Sequence, residues 1–156
     1  MPIGNKKGSI MERFVADTLS AWYGKKKIFI RERFGMDDIR GPEGFGYSVE
    51  VKNHARHLEI LDIFTAEKTS VLLHAIKQSE TNAKATGKKM MVVFRQNHRA
   101  NMVLLRYNAE LLKLILFRGG ITVKYVIVGL SETDTYMCIR LTDLINNISY
   151  GEFVKI

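Results

Sequence analysis

The sequence predicts an α/β domain in which helices flank a mixed central β-sheet. Three long segments have apolar residues at helical spacing, and strand-like apolar runs lie between them. Glycine or asparagine marks most of the boundaries, as is typical of helix ends and turns. The 156 residues contain no internal repeat and no Pro/Ser-rich linker, so we expect one domain over residues 1–156.

The first helix is predicted over residues 9–23. Ser9 would be its N-cap, Glu12 would complete a capping box three residues later, and Gly24 would end the helix. This structural interpretation of Glu12 competes with a role at a functional site, because a carboxylate folded back on the N-cap cannot also reach a ligand. The helix has a broad apolar stripe that comprises Ile10, Met11, Phe14, Val15, Thr18, Leu19, Ala21 and Trp22.

Three strands are predicted next. A strand over about residues 28–33 is broken by Gly35, and a short strand over 38–40 forms a hairpin with a strand over 47–53 across the turn "GPEGFG". Side chains of the last strand alternate between two faces. One face carries Tyr47, Val49 and Val51, and the other carries Ser48, Glu50 and Lys52.

The second half of the chain alternates helices and strands. One helix is predicted from residue 66 or 67 to 86, and another is capped by Asn108 and ends at paired glycines. A short helix is expected near 142–147, while residues 54–66 have only weak helical periodicity. The predicted strands cover residues 88–96, 99–107, 121–130 and 135–141.

The charge distribution favours a polyanionic partner, above all nucleic acid. The formal net charge is +8 and the pI is about 9.6. Residues 1–56 carry 11 basic and 7 acidic side chains and residues 77–113 carry 8 and 2, whereas residues 114–156 carry 4 of each. A merely soluble basic protein is the alternative, since excess charge alone does not identify a ligand.

Cys138 is the single cysteine, which excludes an internal disulfide and a cysteine-based zinc site. It lies in an apolar run, so we expect a buried, inert thiol. No apolar run approaches the length of a membrane span, and the first residues lack a signal-peptide core. We therefore expect a soluble protein of a reducing compartment, without a membrane partner.

Two acids on the predicted hairpin could hold a metal ion. Asp38 and Glu50 lie on its two strands, and two carboxylates on adjacent strands can share Mg²⁺, with the backbone carbonyl of Val51 as a third oxygen. Lys52 lies two residues from Glu50 on the same face, where an ammonium can orient a water or neutralise charge on a phosphate. The alternative is an ordinary strand with a solvated face, because acids near turns are common.

The motifs occur in an order that resembles a known group of enzymes. "KKGSIMER" opens the first helix, "DDI" and then "VEVK" follow, and "AIKQSETNAKATGKKMMVVFRQN" spans a helix and an apolar strand. Over about residues 6 to 97 this resembles the PD-(D/E)XK nuclease superfamily, and within it the branch of archaeal-type Holliday junction resolvases and related phage endonucleases. The resemblance implies a restriction-endonuclease-like fold.

The resemblance also implies a divalent-metal-dependent DNA endonuclease that uses Mg²⁺, with Mn²⁺ as a substitute. It makes Asp38 and Glu50 the metal ligands and Lys52 the catalytic lysine. Glu12 would be a further ligand, direct or through water, and Gln78 would support the site or touch the substrate backbone. Asp37 is the alternative to Asp38 as the metal ligand, although the Asp-Ile pair at 38–39 favours Asp38.

Basic residues on both sides of this site could track a phosphate backbone. His54 and His57 follow the catalytic strand and could contact phosphate, although solvated side chains are the simpler interpretation for all of them. The predicted DNA contacts are Lys6, Lys7, Lys25, Lys26, Lys27, His54, Lys84, Lys88 and Lys89.

The sequence departs from the resemblance in three places. Met36 and Asp37 precede Asp38, so the family's "PD" is absent, and only "RERFGM" fills a gap that is often longer in the resolvases. Residues 108–156 match no motif, so the nuclease core would cover about 6–107 and the rest would be a dimerisation or specificity addition.

Three functions follow as expectations. The first is an endonuclease for branched DNA that acts as a homodimer. The small size and the resemblance are compatible with a phage or virus source and with action inside the host cell. The second is a nuclease of the same fold with another task, such as duplex nicking, restriction or end processing. The third is a DNA-binding or assembly protein of this fold without catalysis.

Overall fold

The computed structural model describes residues 3–55, 58–65, 68–96 and 99–156, with backbone alone for residues 3–7. Its helices are α1 (Ile3–Tyr23), α2 (Asp62–Thr65), α3 (Val71–Thr86), α4 (Ala109–Gly119), α5 (Leu141–Asn147) and α6 (Tyr150–Phe153). None of the described helices is long and apolar enough to cross a membrane.

Seven strands form a single mixed sheet in the order β1-β2-β3-β4-β5-β7-β6. Strands β3 and β4 are parallel, and every other neighbouring pair is antiparallel. The parallel pair is joined by a connection that contains α3, as a parallel connection requires. The strands are β1 (Ile30–Arg31), β2 (Ile39–Arg40), β3 (Tyr47–His54), β4 (Lys89–Gln96), β5 (Met102–Arg106), β6 (Tyr125–Gly129) and β7 (Thr135–Arg140).

Helices cover both faces of the sheet and bury a separate apolar cluster on each. One cluster joins α1, α4, α5 and α6 to alternate residues of the strands, among them Val49 and Met91. The other joins α2 and α3 to the opposite face, where Val92 and Phe94 lie. The predicted α/β architecture, a mixed sheet flanked by helices, is confirmed.

The first helix begins earlier than the sequence predicted. It starts at Ile3, so Ser9 lies inside it and cannot be an N-cap, and the predicted capping box is wrong. Met11, Val15 and Leu19 of the apolar stripe are buried, whereas Ile10 and Phe14 are exposed. The helix therefore buries a narrower face than predicted, and the carboxylate of Glu12 is not held by the helix end.

Two other elements are shorter than predicted. Strand β1 has two residues instead of about six, because its β2 partner also has two. Helix α3 begins at Val71, where the Ser70 hydroxyl accepts a hydrogen bond from the Leu73 amide at 3.1 Å. Residues 66 and 67, the predicted start of this helix, lie outside the described residues.

The C-terminal third continues the same sheet. Strand β7 pairs with β5 and β6 pairs with β7, so residues 108–156 share the sheet and the apolar cluster on the α1 face. Asn108 caps α4 as predicted, accepting from the Leu111 amide at 3.0 Å. Cys138 is buried in β7 and its burial raises the pKa of the thiol to about 12, which agrees with the expected inert cysteine.

Candidate active site

Asp38 and Glu50 lie on the hairpin that β2 and β3 form. Ile39 pairs with Val49 in the antiparallel register, and the Asp38 amide donates to the Val49 carbonyl at 2.9 Å. This register places Asp38 beside Glu50 on the sheet face that α3 covers. The predicted hairpin therefore brings the two acids together.

Glu50 is a buried charge, not part of a solvated strand face. It is only 1% exposed, because α3 packs over this part of the sheet. Its Oε1 accepts a hydrogen bond from the Lys52 ammonium. Its Oε2 is buried without a hydrogen-bond partner among the described residues, and such an orphaned oxygen requires an explanation.

Asp38 is held by the backbone of the neighbouring strand. Its Oδ2 accepts a hydrogen bond from the Val51 amide at 2.7 Å. The N–H and C=O groups of one strand residue point to the same edge, so the Val51 carbonyl also faces the side of β3 on which Asp38 lies. This is the arrangement in which that carbonyl can serve as the third oxygen donor.

Burial raises the pKa of both acids above its ordinary value. For Glu50 the main cause is loss of solvent, to which the negative charge of Asp38 adds, while the hydrogen bond from Lys52 opposes the increase. For Asp38 loss of solvent is again the main cause, and the Val51 amide opposes it. A cation placed between the two carboxylates would stabilise their charged forms and so offset the increase in both pKa values.

Asp37 and Asp38 have different surroundings, although they are adjacent. The Asp37 carboxylate accepts hydrogen bonds from the Ser48 hydroxyl and from the Lys88 ammonium, the latter at 2.8 Å. Both oxygens of Asp37 are thus used within the protein. This favours Asp38 over Asp37 as the metal ligand, and the choice stays a prediction.

Glu12 reaches the same region from α1. Its carboxylate forms an ion pair with Arg31 of β1, and its negative charge contributes to the raised pKa of Asp38. Arg31 was not among the predicted site residues, since a basic residue on a short edge strand has no signature in the sequence. A direct or water-mediated contact between Glu12 and a metal remains a prediction.

Gln78 does not point inward. Its side chain is exposed on α3, and the face of α3 that packs on β3 presents Ser79 and Asn82 instead. The Ser79 hydroxyl donates to the Ser48 carbonyl at 3.5 Å, and the Asn82 amide donates to the Met36 carbonyl at 2.5 Å. The helical spacing of the buried residues could have indicated that Gln78 is exposed, because Gln78 lies outside their stripe. These residues are Leu72, Ala75, Ile76, Ser79 and Ala83.

The predicted DNA-contacting residues differ in exposure and in their contacts within the protein. Lys88 is half-buried and forms an ion pair with Asp37, and its contact with phosphate stays a prediction. The Lys89 ammonium lies 5.7 Å from the centre of the Tyr47 ring. Side chains of Lys6 and Lys7 and all of His57 lie outside the described residues. The remaining predicted residues are exposed, namely Lys25, Lys26, Lys27, His54 and Lys84.

The donor set fits a hard divalent cation. Within the described residues, no group of three or more His, Cys, Asp or Glu side chains is gathered to hold a metal ion. Mg²⁺ commonly uses only one or two carboxylates and completes its octahedron with water and substrate phosphate. Two carboxylates, one of them with an orphaned buried oxygen, and a backbone carbonyl match that requirement.

A mixed α/β sheet with an acid directly before one strand and Glu-Val-Lys on the next is the arrangement of the PD-(D/E)XK nucleases. The family described as "Phage putative PDDEXK endonuclease" matches the chain over residues 4–154. Because the match spans nearly the whole chain, the protein belongs to this family of phage PD-(D/E)XK endonucleases. The predicted superfamily and restriction-endonuclease-like fold are therefore confirmed.

Neither the curated proteins nor the solved structures include a significant match to this chain.

Proposed function

We propose that the protein is a divalent-metal-dependent DNA endonuclease that selects branched or otherwise structured DNA. The observation that carries the proposal is the buried Glu50 carboxylate, which lies beside Asp38 and Lys52 and keeps one oxygen without a hydrogen-bond partner in the described structure. Burying such a charge costs stability unless a cation or a hydrogen-bond donor compensates it. A divalent ion would supply that compensation.

The carboxylates of Asp38 and Glu50 and the carbonyl of Val51 would hold Mg²⁺, and Mn²⁺ would substitute for it. Glu12 would contribute directly or through a water. The bound ion supplies a more acidic water and stabilises the charge that develops on the attacked phosphate. Membership of a PD-(D/E)XK family supports this assignment, because these nucleases generally use divalent metals.

Lys52 would act on the substrate side of the site. Its ammonium is partly exposed and is held by Glu50, so it is oriented and still accessible. From there it would donate a hydrogen bond to the phosphate and offset the negative charge that builds up during attack by water. Water adds to phosphorus, the bond to the 3′ oxygen breaks, and the products carry a 5′-phosphate and a 3′-hydroxyl.

Two observations support DNA as the substrate. The family is one of phage endonucleases, and the excess positive charge of the chain lies within residues 1–113. Exposed lysines 25 to 27 and Lys84 would provide phosphate contacts. A phage enzyme of this kind would work on DNA inside the infected cell.

A homodimer would suit a symmetric branched substrate, because two strands need two sites. Strand β6 is the edge of the sheet, and no charged residue lies in Tyr125–Gly129. Residues 114–156 carry equal numbers of acidic and basic side chains, so two copies would not repel each other there. We propose antiparallel pairing of β6 with β6 of a second copy.

A nuclease of the same fold with another task is the second candidate. The observation that favours it is the short segment between β1 and β2, which is shorter than the corresponding segment in many resolvases. Nicking, restriction or end processing of duplex DNA would then replace junction cleavage.

A cleavage panel separates these functions. Four-way, flapped, nicked and linear DNA of matched sequence are incubated with the wild-type protein in Mg²⁺, in Mn²⁺ and in EDTA. We expect cleavage of branched DNA in both metals and none in EDTA. Equal rates on branched and linear DNA would favour the second candidate. DNA binding without cleavage in either metal would instead indicate a DNA-binding protein of this fold without catalysis.

A further inference from the structure

The loop between β1 and β2 presents an aromatic ring to solvent four residues before the candidate metal ligand Asp38. Phe34 is 97% exposed, more than any other described phenylalanine, and Met36 two residues later is half exposed. Arg33 next to it is also exposed. Singly exposed apolar side chains are common on protein surfaces, so what distinguishes Phe34 is its position, four residues before Asp38 and next to Arg33.

The backbone around Phe34 is anchored from several sides. Asn82 of α3 donates to the Met36 carbonyl, and Asp37 is bound by Ser48 and Lys88. The Glu32 amide donates to the Asp38 carbonyl at 2.9 Å, which closes the base of the loop. The ring is therefore presented on a supported loop.

The loop is also tightly folded. A Cβ added at Gly35 would lie 2.5 Å from the Glu32 Cγ, so the side chain of Glu32 packs closely against the loop directly after Phe34. This close approach and the anchors at Met36 and Asp37 together support the loop on both sides of Gly35.

Phe34 is close to the candidate metal ligand along the chain. Phe34 precedes Asp38 by four residues, so their Cα atoms are at most roughly 14 Å apart. Successive nucleotides of one strand in B-DNA rise about 3.4 Å. The ring would thus meet a base within about four nucleotides of the phosphate that is cleaved.

We propose that Phe34 stacks on the exposed face of a base at a branch point or strand interruption, with Arg33 on the adjoining phosphate. Bases inside a continuous duplex are stacked on both faces, so a ring can reach a base face only where stacking is already broken or after paying to break it. Phe34 would therefore be the residue that distinguishes branched from linear DNA. This inference rests on the proposed function and deepens it.

The test uses DNA binding and needs no cleavage, so it can fail separately from the nuclease assignment. Wild-type, Phe34→Ala, Phe34→Trp and Phe34→Leu proteins are titrated in EDTA with a four-way junction that carries 2-aminopurine at one of the four nucleotides on either side of the branch. Phe117→Ala is the matched control, since Phe117 is 88% exposed on α4 at a distance from the hairpin.

We expect wild-type protein to change the 2-aminopurine fluorescence at one or more of these positions, and Phe34→Ala to lose that change. Phe34→Ala should bind the junction about five- to 150-fold more weakly, the range for loss of one aromatic–base stack. Its affinity for linear duplex should be unchanged. Phe34→Trp should restore binding, Phe34→Leu should not, and Phe117→Ala should match the wild type.

Several results would overturn the inference. They are junction binding by Phe34→Ala or Phe34→Leu equal to wild type, equal losses on junction and duplex, or the same loss in Phe117→Ala. A changed sedimentation coefficient of Phe34→Ala without DNA would assign the ring to contact between protein copies instead. Wild-type protein that binds no junction at all would remove both this inference and the substrate proposal.

Discussion

At the residue scale, Glu50 combines burial, a lysine partner and an orphaned oxygen. The Glu-x-Lys spacing was visible in the sequence, and so was its pairing with Asp38 across a glycine-rich turn. The burial of Glu50 was not visible in the sequence, because alternation along one strand cannot show which helix covers the polar face. The helix that does so, α3, lies more than twenty residues later in the chain.

Glu50→Gln should stabilise the metal-free protein at neutral pH. The raised pKa means that the folded state binds the Glu50 proton more tightly than the unfolded state, so the free energy of unfolding falls as pH rises from the ordinary value of 4.5 through the folded value. Gln removes this penalty, and its advantage should disappear below pH 4.5, where both states of the wild type are protonated.

Thermal unfolding in EDTA at pH 7.5 and at pH 4 measures this effect. Glu132→Gln is the control, because Glu132 is exposed in the turn before β7. A lower melting temperature for Glu50→Gln than for the wild type at pH 7.5 would show that the charge of Glu50 stabilises the metal-free fold, contrary to the structure.

At the element scale, the sequence pattern within one segment predicted helix ends correctly. Contacts between segments that are distant in the chain were not predicted. Asn108 and Gly87 set helix ends as their residue types predict. Gln78 was assigned inward from the order of motifs, whereas the buried stripe of α3 places Ser79 and Asn82 there. The ion pairs of Glu12 with Arg31 and Asp37 with Lys88 join residues 19 and 51 positions apart, which no local periodicity can indicate.

Lys88→Met should lower the cleavage rate by roughly tenfold, in line with the loss of a residue that positions a ligand. The Asp37–Lys88 pair fixes the loop that leads into Asp38, so its loss would loosen that acid. The salt dependence of DNA binding should not change, because Lys88 is occupied by Asp37. Lys26→Met, at an exposed position, should reduce the salt slope by about one.

Cleavage rates and binding isotherms at several salt concentrations check both variants. Asp37→Asn should reproduce the effect of Lys88→Met, and the double variant should add little, since both changes remove one interaction. A reduced salt slope with an unchanged cleavage rate in Lys88→Met would instead make Lys88 a DNA contact.

At the scale of the whole molecule, the two ends of the sheet differ in character. The β1–β3 end carries the candidate site with acids and exposed lysines, and the β6 end carries exposed Tyr125, Val126 and Ile127. The sequence indicated this division through its charge blocks. It could not show that residues 108–156 extend the same sheet, because strand order is set by contacts between distant segments.

Ile127→Asp should convert the proposed dimer to monomer. Ile127 is half-exposed in the middle of β6, and a charge there would be placed next to its own copy across an antiparallel pair. Sedimentation over a concentration series should show at least a tenfold weaker self-association, with Ile10→Asp on α1 unchanged. A wild-type protein that is monomeric at all concentrations, or a dimer unaffected by Ile127→Asp, would contradict the β6 interface.

The cleavage rate of branched DNA by Asp38→Asn and Glu50→Gln in saturating Mg²⁺ tests the central proposal most directly. Each change preserves shape and removes one carboxylate charge, so each should reduce the rate by roughly a hundredfold or more. Glu132→Gln should cleave like the wild type, and the melting temperatures of all variants should confirm that they are folded. Wild-type rates for either Asp38→Asn or Glu50→Gln would contradict the assignment of these two acids as a shared metal site.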